Sequence, residues 1–105
     1  MSLQKQQPFR SRKLLDAAKG EPCIACGADD GTVVAAHYSG MGSHGLGKGT
    51  GTKVSDIAAA HLCHRCHTEM DSYAQGNTTE RSQVFLMLIL KTIVKLAENG
   101  TIKVF

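Results

Sequence analysis

The chain has 105 residues, which suits one small domain that buries about two-thirds of the surface its unfolded chain would expose. Aromatic residues make up only 5% of it and Trp is absent, so the core is modest and a bound metal would help to stabilise it. The net charge of +3 permits a polyanionic partner, and the longest apolar run, residues 84–90, is far shorter than the roughly 20 residues of a membrane span.

The first part of the chain is polar and basic. Residues 1–12 lack the apolar stretch of a signal peptide, and they predict a flexible basic arm whose charges are either solvated or in contact with phosphate. Ser11 is a typical N-cap residue for a short helix that ends at Gly20. Residues 13–105 are predicted to form a single domain.

All four cysteines occur in two C-x-x-C pairs, Cys23 with Cys26 and Cys63 with Cys66. A tight turn places both sulfurs of such a pair on one side, and two pairs together complete a tetrahedral four-thiolate zinc site. Disulfide bonds are the alternative, but a chain without an export signal is expected under reducing conditions, which favour thiolates. We therefore predict a structural Zn²⁺ in a metal-bearing part that spans residues 20–75.

A strand, a glycine-rich loop and a second strand separate the two cysteine pairs. The β-branched residues of the segment 32–37 predict a strand that ends in His37, and residues 57–62 predict the returning strand. Glycines crowd the intervening residues 38–53, which disfavours both helix and strand. We predict a mobile loop there.

The second cysteine pair leads into a helix that is predicted to begin near Cys66 and to end at about Ala74. His67 and Asp71 lie four residues apart on it, so their side chains share a face. Because four thiolates leave zinc no open position, this imidazole and carboxylate are candidates to hold a second, catalytic metal ion. His37 is the candidate general base, since a free imidazole is largely neutral at pH 7.

A long apolar helix follows. Asn77 begins a capping-box pattern that predicts its start, and Asn99-Gly100 predicts its end. Apolar residues occupy more than one face, so the helix either lies deep in the fold or packs on a partner, and residues 80–97 are a possible homodimer interface. The alternating residues 101–105 predict a short terminal strand.

Several motifs together resemble a known family. The residues that carry the resemblance are Ala36-His37, Gly51-Thr52-Lys53 with Asp56, and Leu62-Cys63-x-x-Cys66-His67 with Asp71. They resemble the HNH, or His-Me finger, nucleases, and more narrowly the small phage and prophage nucleases of the YbcO type. The resemblance covers residues 13–73, and the C-terminal helix and strand lie outside it.

With this resemblance, the predicted fold class is α+β: a zinc-braced ββα-metal finger with an added N-terminal helix and a long C-terminal apolar helix. The family implies a metal-dependent endonuclease that hydrolyses the phosphodiester bonds of DNA, here in the cytoplasm of a bacterial host cell. By position, His37 matches the general base. His67 and Asp71 match the helix pair that binds the catalytic ion, Mg²⁺ or Mn²⁺.

The sequence departs from the family pattern at two positions. Many HNH enzymes place an acidic metal ligand directly before the first histidine, where this chain has Ala36. The middle asparagine is missing at its common spacing, and Asp56 is the candidate to orient His37. The predicted contacts to nucleic acid are Lys48, Lys53 and Arg65.

Other functions fit parts of the sequence. A non-catalytic zinc-binding module for nucleic acid explains the cysteines and basic residues, but it gives His37, His67 and Asp71 no joint role. Residues 63–67 also match the C-x-x-C-H signature of c-type haem attachment, which goes with export and leaves the first cysteine pair unexplained. A thioredoxin-like redox role needs a βαβ pattern, which the sequence does not predict around either pair.

Overall fold

The computed structural model describes residues 8–48, 52–71 and 78–104. In chain order its elements are α1 (Arg12–Asp16), β1 (Val34–His37), a 3₁₀ helix (Ser43–Leu46), β2 (Ala59–Leu62), α2 (His64–Asp71) and α3 (Thr78–Glu98). The described residues thus form an α+β fold with three α-helices and one two-stranded sheet. None of the helices in these ranges is long and apolar enough to cross a membrane.

The sheet carries the central part of the fold. Its strands run antiparallel and pair Val34 with Leu62 at one end and His37 with Ala59 at the other. All four residues of β2 are buried. Because β2 is rich in alanine, whose side chain is small, the helices α2 and α3 can pack closely against it. His37 therefore stands at the end of a strand that is supported from behind.

Helix α3 is attached to the sheet by both apolar and polar contacts. Phe85 and Leu88 are buried in the core, and the ring of Phe85 meets that of Tyr38 edge to face, with centroids 5.4 Å apart. The buried hydroxyl of Thr92 accepts a hydrogen bond from the backbone N–H of His61 at 3.3 Å and donates to the carbonyl of Leu88 at 2.9 Å. These contacts join α3 to β2.

The other side of α3 is apolar as well, as the sequence predicted, but it faces solvent. Its exposed large apolar side chains are Val84, Leu86, Met87, Leu90 and Val94. A helix of 21 residues therefore contributes one face to the core and presents a second apolar face outward.

The first described residues are attached to the rest of the fold. Ser11 caps α1 as predicted, since its hydroxyl accepts a hydrogen bond from the N–H of Leu14 at 3.3 Å. The N–H of Phe9 donates to the hydroxyl of Ser55 at 2.8 Å, and the N–H of Asp56 donates to the carbonyl of Phe9 at 2.8 Å. These hydrogen bonds attach residues 9–11 to the segment that carries Asp56, and the flexible arm over residues 1–12 stays a prediction.

The glycine-rich segment is more structured than the sequence predicted. It contains the 3₁₀ helix, and the N–H of Ser55 donates to the carbonyl of Leu46 at 2.8 Å. The N–H of Met41 donates to the hydroxyl of Ser82 on α3 at 3.0 Å, while the hydroxyl of Tyr38 donates to the carbonyl of Met41. Long-range hydrogen bonds thus attach this segment to the rest of the fold, and its mobility stays a prediction.

Gly40 lies where the loop approaches α3, and the change Gly40→Ala is expected to destabilise the protein. A Cβ at this position would meet the hydroxyl of Ser82 and would lie 2.7 Å from that of Tyr38. Both side chains, which bind the backbone of Met41, would have to shift. We expect a loss of about 1–3 kcal/mol in the free energy of unfolding, measured by urea denaturation. The control Gly45→Ala, whose Cβ would meet no atom within 4 Å, should unfold like the wild type.

Several predicted boundaries differ from the structure. Strands β1 and β2 begin at Val34 and Ala59, each two residues after the predicted start, and α1 ends at Asp16, before Gly20. Helix α2 begins at His64, two residues before the expected start, because the hydroxyl of Thr32 accepts its N–H at 2.9 Å. Residues 101–104 form no strand, so that prediction is wrong. Gly100 adopts a φ of +83°, and the N–H of Ile102 donates back to Leu96 at 3.0 Å, which caps α3 instead. The predicted helix start at Asn77 lies outside the described residues.

Candidate active site and metal centre

The four cysteine sulfurs lie together, as the sequence predicted. All of them are within 4.8 Å of one another, and the Sγ atoms of Cys26 and Cys63 are 3.7 Å apart. Sulfurs about 2.3 Å from a tetrahedral zinc are about 3.8 Å from each other, so this separation fits a shared ion. Cys26 is exposed, and the other three cysteines are buried. The cluster can therefore hold a metal such as zinc.

Local hydrogen bonds shape the first pair into a tight turn. The N–H of Gly27 donates to the carbonyl of Cys23 at 2.9 Å, and the N–H of Cys23 donates to Ala28 at 2.8 Å. Gly27 has a φ of +80°, a conformation that costs little only for glycine. The N–H of Ile24 donates to the carbonyl of His61 at 2.8 Å, which fastens the turn to β2 and brings it near the second pair.

The thiols differ in acidity because they share one small volume. Burial would raise the pKa of Cys23, but backbone hydrogen bonds at Cys63 and Cys26 outweigh it and lower this pKa to about 6. Burial and hydrogen bonds with the other three thiols raise the pKa of Cys66 to about 12. The first thiol of the cluster therefore loses its proton easily and the last one with difficulty. A bound divalent cation would favour the loss of all four protons, because it stabilises thiolates.

His37 and Asp56 form a buried pair. The Nε2 of His37 lies 2.8 Å from Oδ1 of Asp56, and their side chains are 13% and 5% exposed. An ionised carboxylate can only accept hydrogen bonds, so Nε2 carries the proton and donates. In a neutral imidazole held this way, Nδ1 has the lone pair that a general base requires.

Asp56 is itself held by the N-terminal segment. Its Oδ2 accepts the N–H of Ser11 at 2.7 Å, and its Oδ1 accepts Nη1 of Arg10 at 3.1 Å. Burial would raise the pKa of Asp56, but the hydrogen bonds from His37, Ser11 and Arg10 together hold it below its usual value of 3.8. The carboxylate is therefore ionised at neutral pH and fixed from three directions.

The change Asp56→Asn is expected to lower the free energy of unfolding at neutral pH by about 1–3 kcal/mol, because donors from three residues lose a charged acceptor. The folded pKa of Asp56 is depressed, so its stabilising effect is complete above the unfolded pKa of about 3.9 and is lost as the pH falls through the folded pKa. In urea denaturation, the difference in unfolding free energy between wild type and Asp56→Asn should therefore shrink below about pH 4.

The control for this change is Asp29→Asn, which removes an exposed carboxylate. Its unfolding free energy should follow that of the wild type at every pH. If the difference in unfolding free energy between wild type and Asp56→Asn stayed constant below about pH 4, the role given to the ionised Asp56 would be contradicted.

His67 and Asp71 form a second pair, on adjacent turns of α2. The Nε2 of His67 lies 3.0 Å from Oδ2 of Asp71, and both side chains are partly exposed. The other carboxylate oxygen of Asp71 accepts a hydrogen bond from the hydroxyl of Ser39 at 3.2 Å. The predicted helix face is thus present, and it is tied to the residues that follow β1.

One cavity brings these groups together. It has a volume of about 300 Å³ and is open to solvent. Its lining residues are Ala35, His37, Tyr38, Ser39, Lys48, Lys53, His67 and Asp71. An imidazole from β1, an imidazole and carboxylate from α2 and two ammonium groups from the glycine-rich segment therefore surround a single space.

Comparison with protein families identifies relatives of the chain. A family described as "Putative nuclease YbcO" matches residues 12–101. The chain belongs to the YbcO family. No curated protein and no solved structure matches it significantly. The matched YbcO region includes all four cysteines and every residue that lines the cavity.

Within this YbcO domain, the predicted site residues fall into three places. His67, Asp71, Lys48 and Lys53 line the cavity with His37, and Asp56 stands behind it. The cysteines form the separate sulfur cluster. Arg65 is exposed beside that cluster, where the negative charge of Cys26 raises the pKa of the arginine, and it does not line the cavity.

Two residues of the site were not predicted. Arg10 contacts Asp56 across 46 positions of sequence, and no local pattern signals such a contact. Ser39 could have been found, because it lies two residues after His37 and side chains at i and i+2 of an extended chain point to the same side. Both belong to the surroundings of the histidines of this YbcO domain.

Proposed function

We propose that this protein is a divalent-metal-dependent endonuclease of the HNH type, in which β1, β2 and α2 form the ββα-metal finger. The observation that supports it best is the convergence of His37 from the strand with His67 and Asp71 from the helix in one open cavity. Two lysines beside them suit a phosphodiester, whose charge is negative. The family description points to the same class of reaction.

His37 is proposed as the general base. Its Nε2–H is held by Asp56, so Nδ1 is the nitrogen that takes a proton from the attacking water. Asp56 keeps the imidazole in this tautomer and stabilises the charge that it gains. Lys48 and Lys53 bind phosphate oxygens and hold the substrate next to the base.

His67 and Asp71 are proposed to hold the catalytic Mg²⁺ or Mn²⁺. Ligands about 2.1 Å from an octahedral ion lie about 3 Å apart when they are neighbours, which the His67–Asp71 separation of 3.0 Å matches. The same distance is that of a hydrogen bond, so the pair is compatible with the ion and does not require it. When bound, the ion would stabilise negative charge on the phosphate.

Among the described residues, the four cysteines are the only cluster of three or more potential metal ligands. We propose that they bind a structural Zn²⁺, since four thiolates leave no open position for a substrate. The catalytic ion, with two protein ligands, would complete its coordination with water and phosphate oxygens, as Mg²⁺ usually does. The two proposed metals therefore have different ligands and different roles.

The test is a cleavage screen of the zinc-loaded protein on plasmid DNA, single-stranded DNA and RNA, with and without added Mg²⁺ or Mn²⁺. We expect cleavage of at least one DNA form that depends on the added ion. Tight binding to nucleic acid without cleavage under any condition would instead favour the non-catalytic zinc-binding module. DNA as the substrate, a phage or prophage origin and a cytoplasmic location are implied by the resemblance alone and stay predictions.

Homodimerisation through residues 80–97 also stays a prediction. The outer face of α3 exposes Met87, Leu90 and Val94, and an apolar face of this kind is typical of a helix that packs on a partner. If α3 forms the interface, Leu90→Lys should convert a dimer to a monomer in analytical ultracentrifugation without loss of zinc. Val104→Lys, which changes an exposed residue beyond α3, should leave the dimer intact. A monomeric wild type would end this prediction.

A further inference from the structure

A second cavity also borders His37. It has a volume of about 440 Å³. Its lining residues are Arg10, Leu15, His37, Thr52, Lys53 and Asp56. It shares His37 and Lys53 with the first cavity, so the two cavities are neighbours and both border the candidate base.

Arg10 supplies hydrogen-bond donors to this second cavity. Its Nη1 donates to the carbonyl of Val54 at 2.6 Å and to Asp56 at 3.1 Å, and its Nη2 donates to the carbonyl of Lys53 at 2.8 Å. A guanidinium has five N–H donors, so these bonds leave Nε–H and one Nη2–H without a partner among the described residues. Both remaining donors can bind phosphate oxygens, for which a guanidinium is well suited.

The carboxylate of Asp56 also borders this cavity, where two cations, Arg10 and Lys53, outweigh its single negative charge. It is only 5% exposed, and both of its oxygens already accept hydrogen bonds, from His37, Arg10 and Ser11. Its charge is balanced by that of Arg10, which leaves the positive charge of Lys53. The side chain of Arg10 is 45% exposed and lines the cavity, so an anion in the cavity can reach it.

We propose that the second cavity binds the backbone phosphate next to the one that is cleaved, on the same strand of nucleic acid. The inference rests on the proposed function, because it takes the first cavity as the place of the scissile phosphate. Lys53 borders both cavities and can serve both phosphates, while Arg10 recognises the second one. Such a contact places the strand across His37 without reading its sequence.

The test combines a protein variant with a modified substrate. Each phosphate of a short single-stranded DNA is replaced in turn by an uncharged methylphosphonate, and binding to the zinc-loaded full chain is measured by fluorescence anisotropy without Mg²⁺ or Mn²⁺. We expect one position where the replacement weakens wild-type binding by about 10-fold or more, as for the loss of a charge-assisted hydrogen bond. At that position Arg10→Lys, which lacks the guanidinium edge, should show little further loss.

Cleavage of the unmodified DNA with Mn²⁺ locates the scissile bond. The phosphate whose replacement weakens binding in the wild type but not in Arg10→Lys, called the coupled phosphate, should be the neighbour of that bond. The control Arg12→Lys changes an exposed arginine outside both cavities and should keep the wild-type profile. The proposal would be overturned if each replacement weakened binding equally in wild type and Arg10→Lys. It would also be overturned if the coupled phosphate lay far from the scissile bond. If Arg10→Lys does not fold, the same binding measurement is made on Thr52→Val, which changes another residue that lines the second cavity. Coupling without any cleavage would support the phosphate site and refute the nuclease.

Discussion

His37→Ala is expected to lower the rate of phosphodiester cleavage by about 10²- to 10⁴-fold, the usual contribution of a general base. The variant loses the imidazole that is held by Asp56 and lines the cavity. Zinc content and circular dichroism should stay at wild-type values, because His37 ends its strand away from the cysteine pairs. The measurement is plasmid cleavage with Mg²⁺ or Mn²⁺ at equal protein concentration.

The matched control for this variant is His64→Ala, which removes an exposed imidazole that lies outside the cavity. It should cleave at the wild-type rate. The two variants should also bind uncleaved DNA equally well, since a base contributes to the rate and not to the affinity for the ground state. If His37→Ala cut DNA as fast as the wild type, the assignment of the base would be wrong.

Cys63→Ser is expected to remove the metal and to unfold the protein. Cys63 is buried in the sulfur cluster, and a serine hydroxyl is a poor ligand for zinc. A structural zinc contributes on the order of 10 kcal/mol to folding, which equals the whole stability of a typical small domain. Zinc content measured by mass spectrometry should fall well below one per chain, and circular dichroism should show the loss of helix.

The control for this change is Thr68→Ser, a substitution on the exposed side of the same helix that keeps the hydroxyl bound to His64. It should retain one zinc and the wild-type stability. A strong chelator should unfold the wild type in the same way as Cys63→Ser, whereas withholding Mg²⁺ and Mn²⁺ should leave it folded. An unchanged zinc stoichiometry in Cys63→Ser would contradict the four-thiolate site.

These two results differ in kind because the two histidine pairs and the sulfur cluster occupy separate parts of the fold. The cluster joins the first cysteine turn to the start of α2, so it holds the helix that carries His67 and Asp71. Arg65 and Cys26 interact with each other and do not line the cavity. Loss of the cluster should therefore abolish activity because the protein unfolds. Loss of His37 should abolish activity while the protein stays folded.

Several features followed directly from local sequence. The C-x-x-C spacing predicted the turn that brings paired sulfurs together, and the spacing of His67 and Asp71 predicted a shared helix face. Ser11 was predicted as an N-cap, and its hydroxyl accepts the N–H of Leu14. In each case the interacting atoms lie within a few residues of one another, so chain geometry alone determines the contact.

Other features depended on partners far away in the chain. Residues 101–104 form no strand because Ile102 bonds back to Leu96, and the glycine-rich segment contacts α3 because Met41 reaches Ser82. Arg10 was assigned to a flexible arm, yet three of its donors hold the segment that carries Asp56. Composition indicates that such segments are polar or glycine-rich, but it contains no information about which distant acceptor they meet.

The sequence by itself therefore determined the chemistry of this protein: two thiol pairs, a histidine at a strand end and an imidazole with a carboxylate on one helix face. Only the tertiary structure decided that His37 donates to Asp56, that both lysines border the same cavity as His67, and that Arg10 extends the site to a second cavity. The physical reason is that short-range spacing is set by helix and turn geometry, whereas the meeting of distant side chains is set by how the helices pack on the sheet.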